Sequence, residues 1–221
     1  GAGGEAGDSG AGAAGASEAS GGTGGTGGTG GSAGSAGSGT GGVGGSLRDG
    51  CVLLLHLDEA DWSTGPGTVR DASGQANHGT AVGGVIPTAD GRFGGAAALG
   101  GDGWIEVNDQ PSLQVSRALT VSAWVWLDKI GPDYWPGIVS KRIAYADQTA
   151  FSLHLGTNGE VTVDVGEESD RFVSTRFLAK AEWRHVAFVY DGSAEATERV
   201  RLYIDGALDT VAFAEESSIA P

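Results

Sequence analysis

Aromatic residues in loop-like stretches are the side chains of this sequence best suited to bind a ligand. Trp62 lies in "DWSTGPG", and Tyr134 and Trp135 lie together in "GPDYWPG", where glycine and proline interrupt the strand-like patterning. Flat sugar faces stack on such rings, and polar and acidic neighbours hydrogen-bond the hydroxyls. The alternative is that these rings fold back and cover the edge of the core. Trp104, in "GDGWIEVND", lies in a strand-like pattern that can turn its ring either way.

Residue patterns that typically carry out catalysis are missing from Leu47 onward. That part of the sequence has no Gly-x-Ser-x-Gly elbow, no His-Glu-x-x-His pair and no Walker loop. His154 and His185 lie in strand patterns, where packing or a satisfied hydrogen bond is expected rather than metal ligation. The single cysteine, Cys51, adjoins the apolar run "VLLLHL" and is interpreted as a small buried apolar residue.

The charge balance is strongly acidic, with 28 Asp and Glu against 13 Lys and Arg and a net charge of −15. This argues against nucleic acid as a partner, because phosphate binding needs clustered basic residues. No apolar run reaches transmembrane length, and no signal peptide is present. The chain has no methionine, so we interpret its native start as missing. We expect a secreted or cell-surface protein, bacterial in origin, with a lipid or wall tether upstream.

The composition divides the chain in two. Residues 1–46 contain no aromatic residue and are almost entirely Gly, Ala, Ser and Thr, as in "GGTGGTGGTGGSAGSAGSGTGG". Such a segment buries too little apolar surface to offset its ordering entropy, which predicts a disordered low-complexity linker. Residues 47–221 hold all 6 Trp, 6 Phe and 4 Tyr and are long enough for one domain with a core.

The second part reads as short strands between turn signals. In "LTVSAWVWL" apolar Val121, Ala123 and Val125 alternate with a second set that includes Trp124 and Trp126. The other predicted strands are "VLLLHL", "GDGWIEVND", "GIVSKR", "AFSLHLG", "EVTVDVG" and "RFVSTRF". "TNGE" predicts a two-residue hairpin turn. The pattern predicts an all-β fold, a two-sheet antiparallel sandwich.

A hairpin is predicted near the end, from "WRHVAFVYD" and "RVRLYIDG". The pairs Asp191-Gly192 and Asp205-Gly206 mark its turns, because glycine readily adopts positive φ. Large apolar side chains on both strands are interpreted as core. They are Trp183, Val186, Phe188, Leu202 and Ile204.

Taken in order, these stretches resemble a known family. "HLDE", "DASGQANHG", "GRFGGAAALGGDGWIEV", "LTVSAWVWL", "WRHVAFVYDG" and "LYIDGAL" look like the laminin G-like, concanavalin A-like lectin/glucanase jelly roll from Val52 to Phe213. That family usually ends in a strand that pairs beside the first one, whereas this chain stops at "EESSIAP". The resemblance therefore implies a domain over residues 47–221 that lacks its last strand or strands, with "VLLLHL" left as an exposed edge.

The resemblance also bears on catalysis. Glucanases of this superfamily use a Glu-x-Asp-x-Glu strand, which places two carboxylates on one face of the sheet around the glycosidic bond. "EADWS" and "ESDRF" supply the first two positions and lack the last. We therefore expect that the protein is not an enzyme.

Family members often hold calcium between loops at the edge of the sandwich. The positions that match are Asp58 and Glu59, just after the first predicted strand, and Asp102 in "GDG". Calcium prefers several oxygen ligands from loops that lie close in space. Asp71 and Asn77 in "DASGQAN" are alternative donors, although the simpler interpretation of Asp71 is a residue that caps a turn. The resemblance thus implies a structural calcium ion.

The functional expectation is a non-catalytic extracellular binding module. Its ligand is predicted to be carbohydrate, or else a cell-surface or matrix protein. Two alternatives stay open, namely an accessory domain of a glycan hydrolase and a structural adhesion or spacer domain. Since this sandwich hosts lectins, enzymes and adhesion modules, the fold does not choose between them.

Overall fold

The structure is a computed structural model, and it describes residues 10–15, 49–63, 65–131, 135–142, 150–166, 171–212, 214 and 219. For residues 10–15 and 212 the backbone alone is described. Tyr134, one of the predicted ligand residues, lies outside the described residues.

Within the described residues the chain is built of thirteen strands and two short 3-10 helices. The strands are β1 (Gly10–Gly15), β2 (Gly79–Val82), β3 (Ile86–Thr88), β4 (Ala96–Gly100), β5 (Trp104–Val107), β6 (Ala118–Trp126), β7 (Gly137–Ser140), β8 (Phe151–Leu155), β9 (Glu160–Val165), β10 (Arg171–Phe177), β11 (Trp183–Asp191), β12 (Val200–Ile204) and β13 (Ala207–Ala212). The 3-10 helices are Pro111–Leu113 and Ala196–Glu198. None of the described helices is long and apolar enough to cross a membrane.

The strands form two packed antiparallel sheets and a small third one. The larger sheet has the order β13-β12-β11-β6-β1-β4-β3, and the smaller one has the order β10-β9-β8-β7. Strands β2 and β5 pair separately beside them. The predicted all-β, two-sheet antiparallel sandwich is confirmed.

The main core lies between the two sheets and follows the period-two pattern of the sequence. Phe188 on β11 is fully buried, and its ring centroid lies 5.7 Å from that of Phe151 on β8. Val186, Leu202 and Ile204 also face this core, as the sequence predicts. Burying each such side chain contributes roughly 1.5–3 kcal/mol. A second, smaller core gathers Leu57, Trp62, Val69, Val85 and Ala97.

The core prediction is wrong for Trp183. Its register partner is Trp126, an outward-facing residue of β6, so Trp183 lies half-buried on the outer face of the larger sheet. Side chains alternate between faces along a strand, so Val186 and Phe188 can face the core only if positions of the opposite parity, Trp183 included, face outward.

The first strand predicted from the sequence is also wrong. Among the described residues, "VLLLHL" makes a single bridge, between Leu55 and Asp71, and Leu57 has a positive φ of 63°. The Leu54 N–H donates to the Asp71 carboxylate at 2.9 Å, so a side chain takes up a backbone group that a neighbouring strand would otherwise pair. Leu57 is buried in the smaller core instead of lying on an exposed edge.

The glycine-rich segment contributes one strand to the larger sheet. β1 lies between β4 and β6, with Ala14 opposite Ala97 and Val125. The predicted linker, residues 1–46, therefore includes a six-residue strand, and its other residues lie outside those described.

Two turns show how local sequence sets the connections. Asp205 and Gly206 both have positive φ, 52° and 76°, as a two-residue hairpin between β12 and β13 requires. The "TNGE" turn is longer than predicted, because Gly156 donates to the Glu160 carbonyl at 2.8 Å and leaves three residues in the loop. Gly159, with φ of 90°, occupies the left-handed position of that loop.

Candidate functional site

Aromatic side chains form a compact group on the outer face of the larger sheet. In the register of β6 and β11, Trp126 lies opposite Trp183 and Trp124 lies opposite His185. Directly opposed residues of neighbouring strands share one face, so the four rings stand side by side. Phe93, in the loop before β4, extends the row. We call these five residues the aromatic platform.

The rings of the platform are in contact with one another. The ring centroids of Trp124 and His185 lie 5.3 Å apart, and those of Trp126 and Trp183 lie 5.9 Å apart. Phe93 meets Trp124 edge-on at 5.6 Å and is itself 56% exposed. The four rings on β6 and β11 are half-buried, which fixes their orientation and leaves part of each to solvent.

A tight glycine loop brings Arg92 and Phe93 to the platform. In "GRFGG", the Gly91 N–H donates to the Gly94 carbonyl at 3.0 Å, and Gly94 has a φ of 85°. A Cβ atom on Gly95 would lie 2.3 Å from the Leu57 carbonyl oxygen, so only glycine fits there. The loop is anchored by Asp58, whose carboxylate accepts the Gly95 N–H at 2.6 Å.

Two polar groups accompany the rings. The Arg92 guanidinium lies 4.8 Å from the centroid of Phe93 and 5.0 Å from that of Trp124, which is cation–π geometry. Burial lowers the pKa of His185 more than the nearby Asp205 raises it. A neutral imidazole offers one N–H donor and one acceptor nitrogen, which suits hydroxyl groups.

A second polar group lies on the outer face of the smaller sheet. Asp164 on β9 accepts a hydrogen bond from Arg171 Nε at 2.7 Å and one from Ser152 Oγ at 3.0 Å. Arg142 Nη1 is 4.0 Å from the same carboxylate, and His154 Nδ1 is 3.8 Å from it. Burial, more than any other influence, lowers the pKa of His154. This cluster has the composition of a structural ion-pair network.

The predicted ligand-binding aromatics fall into different environments. Trp62 is only 5% exposed and donates its indole N–H to Glu59 at 3.1 Å, so it offers no ring face to a ligand. Trp104 and Trp135 are exposed, by 53% and 56%. Trp135 contacts His154 at 5.9 Å on the smaller sheet, and Trp104 lies on β5 of the two-stranded sheet. The structure does not gather them into one site.

Comparison with known families supplies the decisive observation. A family model described as the concanavalin A-like lectin/glucanases superfamily, Laminin_G_3, matches residues 99–220, more than half of the chain. The chain belongs to this family. No curated protein matches the chain in the corresponding search. The description of the family names both lectins, which bind sugars, and glucanases, which are enzymes.

The calcium ligands implied by the resemblance do not fit a common site in this Laminin_G_3 chain. Each of three carboxylates accepts hydrogen bonds elsewhere: Asp58 from Gly95, Glu59 from Trp62 and the Arg70 N–H, and Asp71 from Leu54, Ser73 and Asn77. The Asn77 amide donates to the Val52 carbonyl and to Ser112, and Asp102 is exposed. Within the described residues no three His, Cys, Asp or Glu side chains come together around a metal position.

Sequence reasoning missed the residues that define the platform of the Laminin_G_3 domain. The alternation in "LTVSAWVWL" places Trp124 and Trp126 on the face opposite the core residues, which the structure confirms. The unused signal is that this face carries two tryptophans where a solvent-exposed sheet face usually carries polar residues. Arg92 and Phe93 carry a second signal, since glycines bracket them on both sides.

Proposed function

We propose that this Laminin_G_3 domain is a carbohydrate-binding module whose ligand lies on the aromatic platform. The observation that carries the proposal is the group of four rings on β6 and β11, extended by the exposed Phe93. Apolar sugar faces bind flat aromatic surfaces, and the partial burial of these rings orients them before a ligand arrives.

The polar groups around the platform support the same ligand class. Neutral His185 offers both a donor and an acceptor at the edge of Trp124, and Arg92 offers N–H donors above it. Sugar hydroxyls need such groups beside a stacking surface. Small-molecule sites usually combine an apolar surface with a small number of polar groups, as this platform does.

We further propose that the domain acts outside the cell and binds without catalysing a reaction. The support for the second point is the sequence, since "EADWS" and "ESDRF" both lack the final carboxylate of the glucanase strand. The release of reducing ends from a β-glucan by the purified protein would contradict it. The resemblance implies a structural calcium ion, but because the carboxylates of Asp58, Glu59 and Asp71 accept hydrogen bonds from the protein itself, we expect no calcium ion at these residues.

The first experiment is a glycan array with the wild-type chain, followed by affinity measurements on each positive oligosaccharide. Trp124→Ala should weaken binding about tenfold or more, because losing a stacked ring costs on the order of 1.5 kcal/mol. Phe93→Ala, at a position that is 56% exposed, should also weaken binding. Trp104→Ala, which removes a 53% exposed tryptophan from the separate β2–β5 sheet, is the control and should bind like the wild type.

Three outcomes would overturn the proposal. The first is an array with no positive glycan. The second is a Trp124→Ala variant that keeps its melting temperature and its affinity. The third is a loss of binding in Trp104→Ala that equals the loss in Trp124→Ala, since this would move the ligand away from the platform.

A further inference from the structure

Arg92 is the one strongly basic group that the structure places directly over the platform rings, within the described residues. It is exposed, at the tip of the "GRFGG" loop, and its guanidinium carbon lies 5.0 Å from the Trp124 ring centroid. The glycine loop and its anchor on Asp58 fix the backbone on both sides of it. The fold therefore sets the backbone position of Arg92, and contacts with the Phe93 and Trp124 rings locate its charge.

The guanidinium of Arg92 keeps its hydrogen-bond donors available. Among the described residues, no carboxylate forms an ion pair with it, and no oxygen accepts a hydrogen bond from it. Paired arginines of the chain, such as Arg171 and Arg184, by contrast each meet a carboxylate at 2.7 Å. Contact with the faces of aromatic rings holds an arginine in place without supplying it with an acceptor oxygen.

The lack of a partner is notable because acidic side chains are plentiful nearby. Asp90 lies two residues before Arg92. The Asp58 side chain lies against Gly94, which belongs to the same loop as Arg92. Yet the Asp58 carboxylate accepts the Gly95 N–H, and among the described residues neither carboxylate forms an ion pair with Arg92. In a chain with 28 acidic residues, an unpaired arginine on an aromatic surface is suited to an anionic group brought by a ligand.

We propose that the platform selects acidic sugars, with Arg92 binding the carboxylate of a uronic acid whose ring stacks on Trp124. A guanidinium matches a carboxylate through two parallel N–H···O bonds, which a neutral hexose cannot accept in the same way. This inference rests on the proposed carbohydrate function and adds the class of sugar.

The test compares a hexamer of uronic acids with a neutral hexose hexamer by calorimetry at low and high ionic strength. The wild type should bind the acidic hexamer about tenfold more tightly at low salt, and the difference should shrink as salt screens the exposed pair. Arg92→Gln should lose the preference while still binding the neutral hexamer. Arg92→Lys, which keeps the charge but not the planar fork, should retain only part of it.

Arg201→Gln is the matched control. Arg201 lies on the same outer face, opposite Val189, and is paired with Glu198 at 3.6 Å. The Arg201→Gln substitution removes one positive charge outside the platform, so the preference for the acidic hexamer should remain. Equal affinity of the wild type for the two hexamers would overturn the inference and leave the proposed function intact. A preference that Arg92→Gln keeps would overturn the role of Arg92, and a failure to bind either hexamer would count against both proposals.

Discussion

Asp164 is the residue whose replacement should cost the fold most through electrostatics. Its side chain is 4% exposed and accepts hydrogen bonds from Arg171 and Ser152, while Arg142, 6% exposed, lies 4.0 Å away. In Asp164→Asn the cationic partners stay while the charge that compensates them is lost. Breaking a buried ion pair from one side costs about 3–5 kcal/mol. Since Arg171 is 31% exposed and can turn to water, we expect the lower end, about 3 kcal/mol.

Urea unfolding followed by tryptophan fluorescence measures this change as a shift in midpoint at constant m-value. Asp128→Asn, which removes an equal charge at an exposed position, should change the free energy of unfolding by less than about 0.5 kcal/mol. A change in Asp164→Asn no larger than that of Asp128→Asn would refute the reasoning. It would show that the arginines are hydrated in solution and that the ion pair contributes little.

The pH dependence supplies an independent check on Asp164. Burial raises the pKa of this carboxyl, but the hydrogen bonds from Arg171 and Ser152 outweigh burial and hold the pKa below its ordinary value. A carboxyl whose pKa is lower in the folded than in the unfolded state stabilises the fold fully above the unfolded pKa, about 3.9. That contribution is lost as the pH falls through the lowered pKa, so the difference between wild type and Asp164→Asn should narrow below about pH 4.

Three further predictions follow from the loops and strands. Gly206→Ala should destabilise the protein by about 1 kcal/mol, because φ is 76° there, whereas Gly137→Ala, in equally open space without a positive φ, should be neutral in chemical unfolding. Adding calcium or a chelator should leave the melting temperature unchanged, because the Asp58 and Asp71 carboxylates already accept hydrogen bonds from backbone N–H groups. A melting temperature that rises with calcium would contradict this and show that the folded protein binds the metal. Ala14→Pro should lower the free energy of unfolding by more than about 1 kcal/mol, because proline is not accommodated in a central strand; no change would remove β1 from the sheet.

The fold was predictable because its strands follow simple alternation. Val186 and Phe188, Leu202 and Ile204 repeat every second residue, and the Asp205-Gly206 pair marks the turn between their strands. A period of two determines which residues share a face, so the sandwich can be derived without knowledge of strand order. One exception is the "VLLLHL" run, because the Leu54 N–H bonds the side chain of Asp71, 17 residues away, and another is β1, which lies in the segment predicted as a linker.

The candidate site was less predictable because it depends on tertiary contacts. Trp62 looks like a loop aromatic in sequence, yet its ring is buried against Val69 and Val85 in the smaller core. Trp124 and Phe93 meet only because strand order brings the loop before β4 toward β6. Periodicity indicates the face on which a residue lies, but not the residues from other strands that meet it there.

The most direct test of carbohydrate binding on the aromatic platform is an NMR titration of the six tryptophan indole N–H signals. The ligand is the tightest oligosaccharide from the array, and each signal is assigned by single substitution. We expect the Trp124, Trp126 and Trp183 signals to shift in proportion to occupancy. The buried Trp62 serves as the internal control and should not move. Shifts confined to Trp104 or Trp135, or no shift at saturating ligand, would contradict binding on this face of the larger sheet.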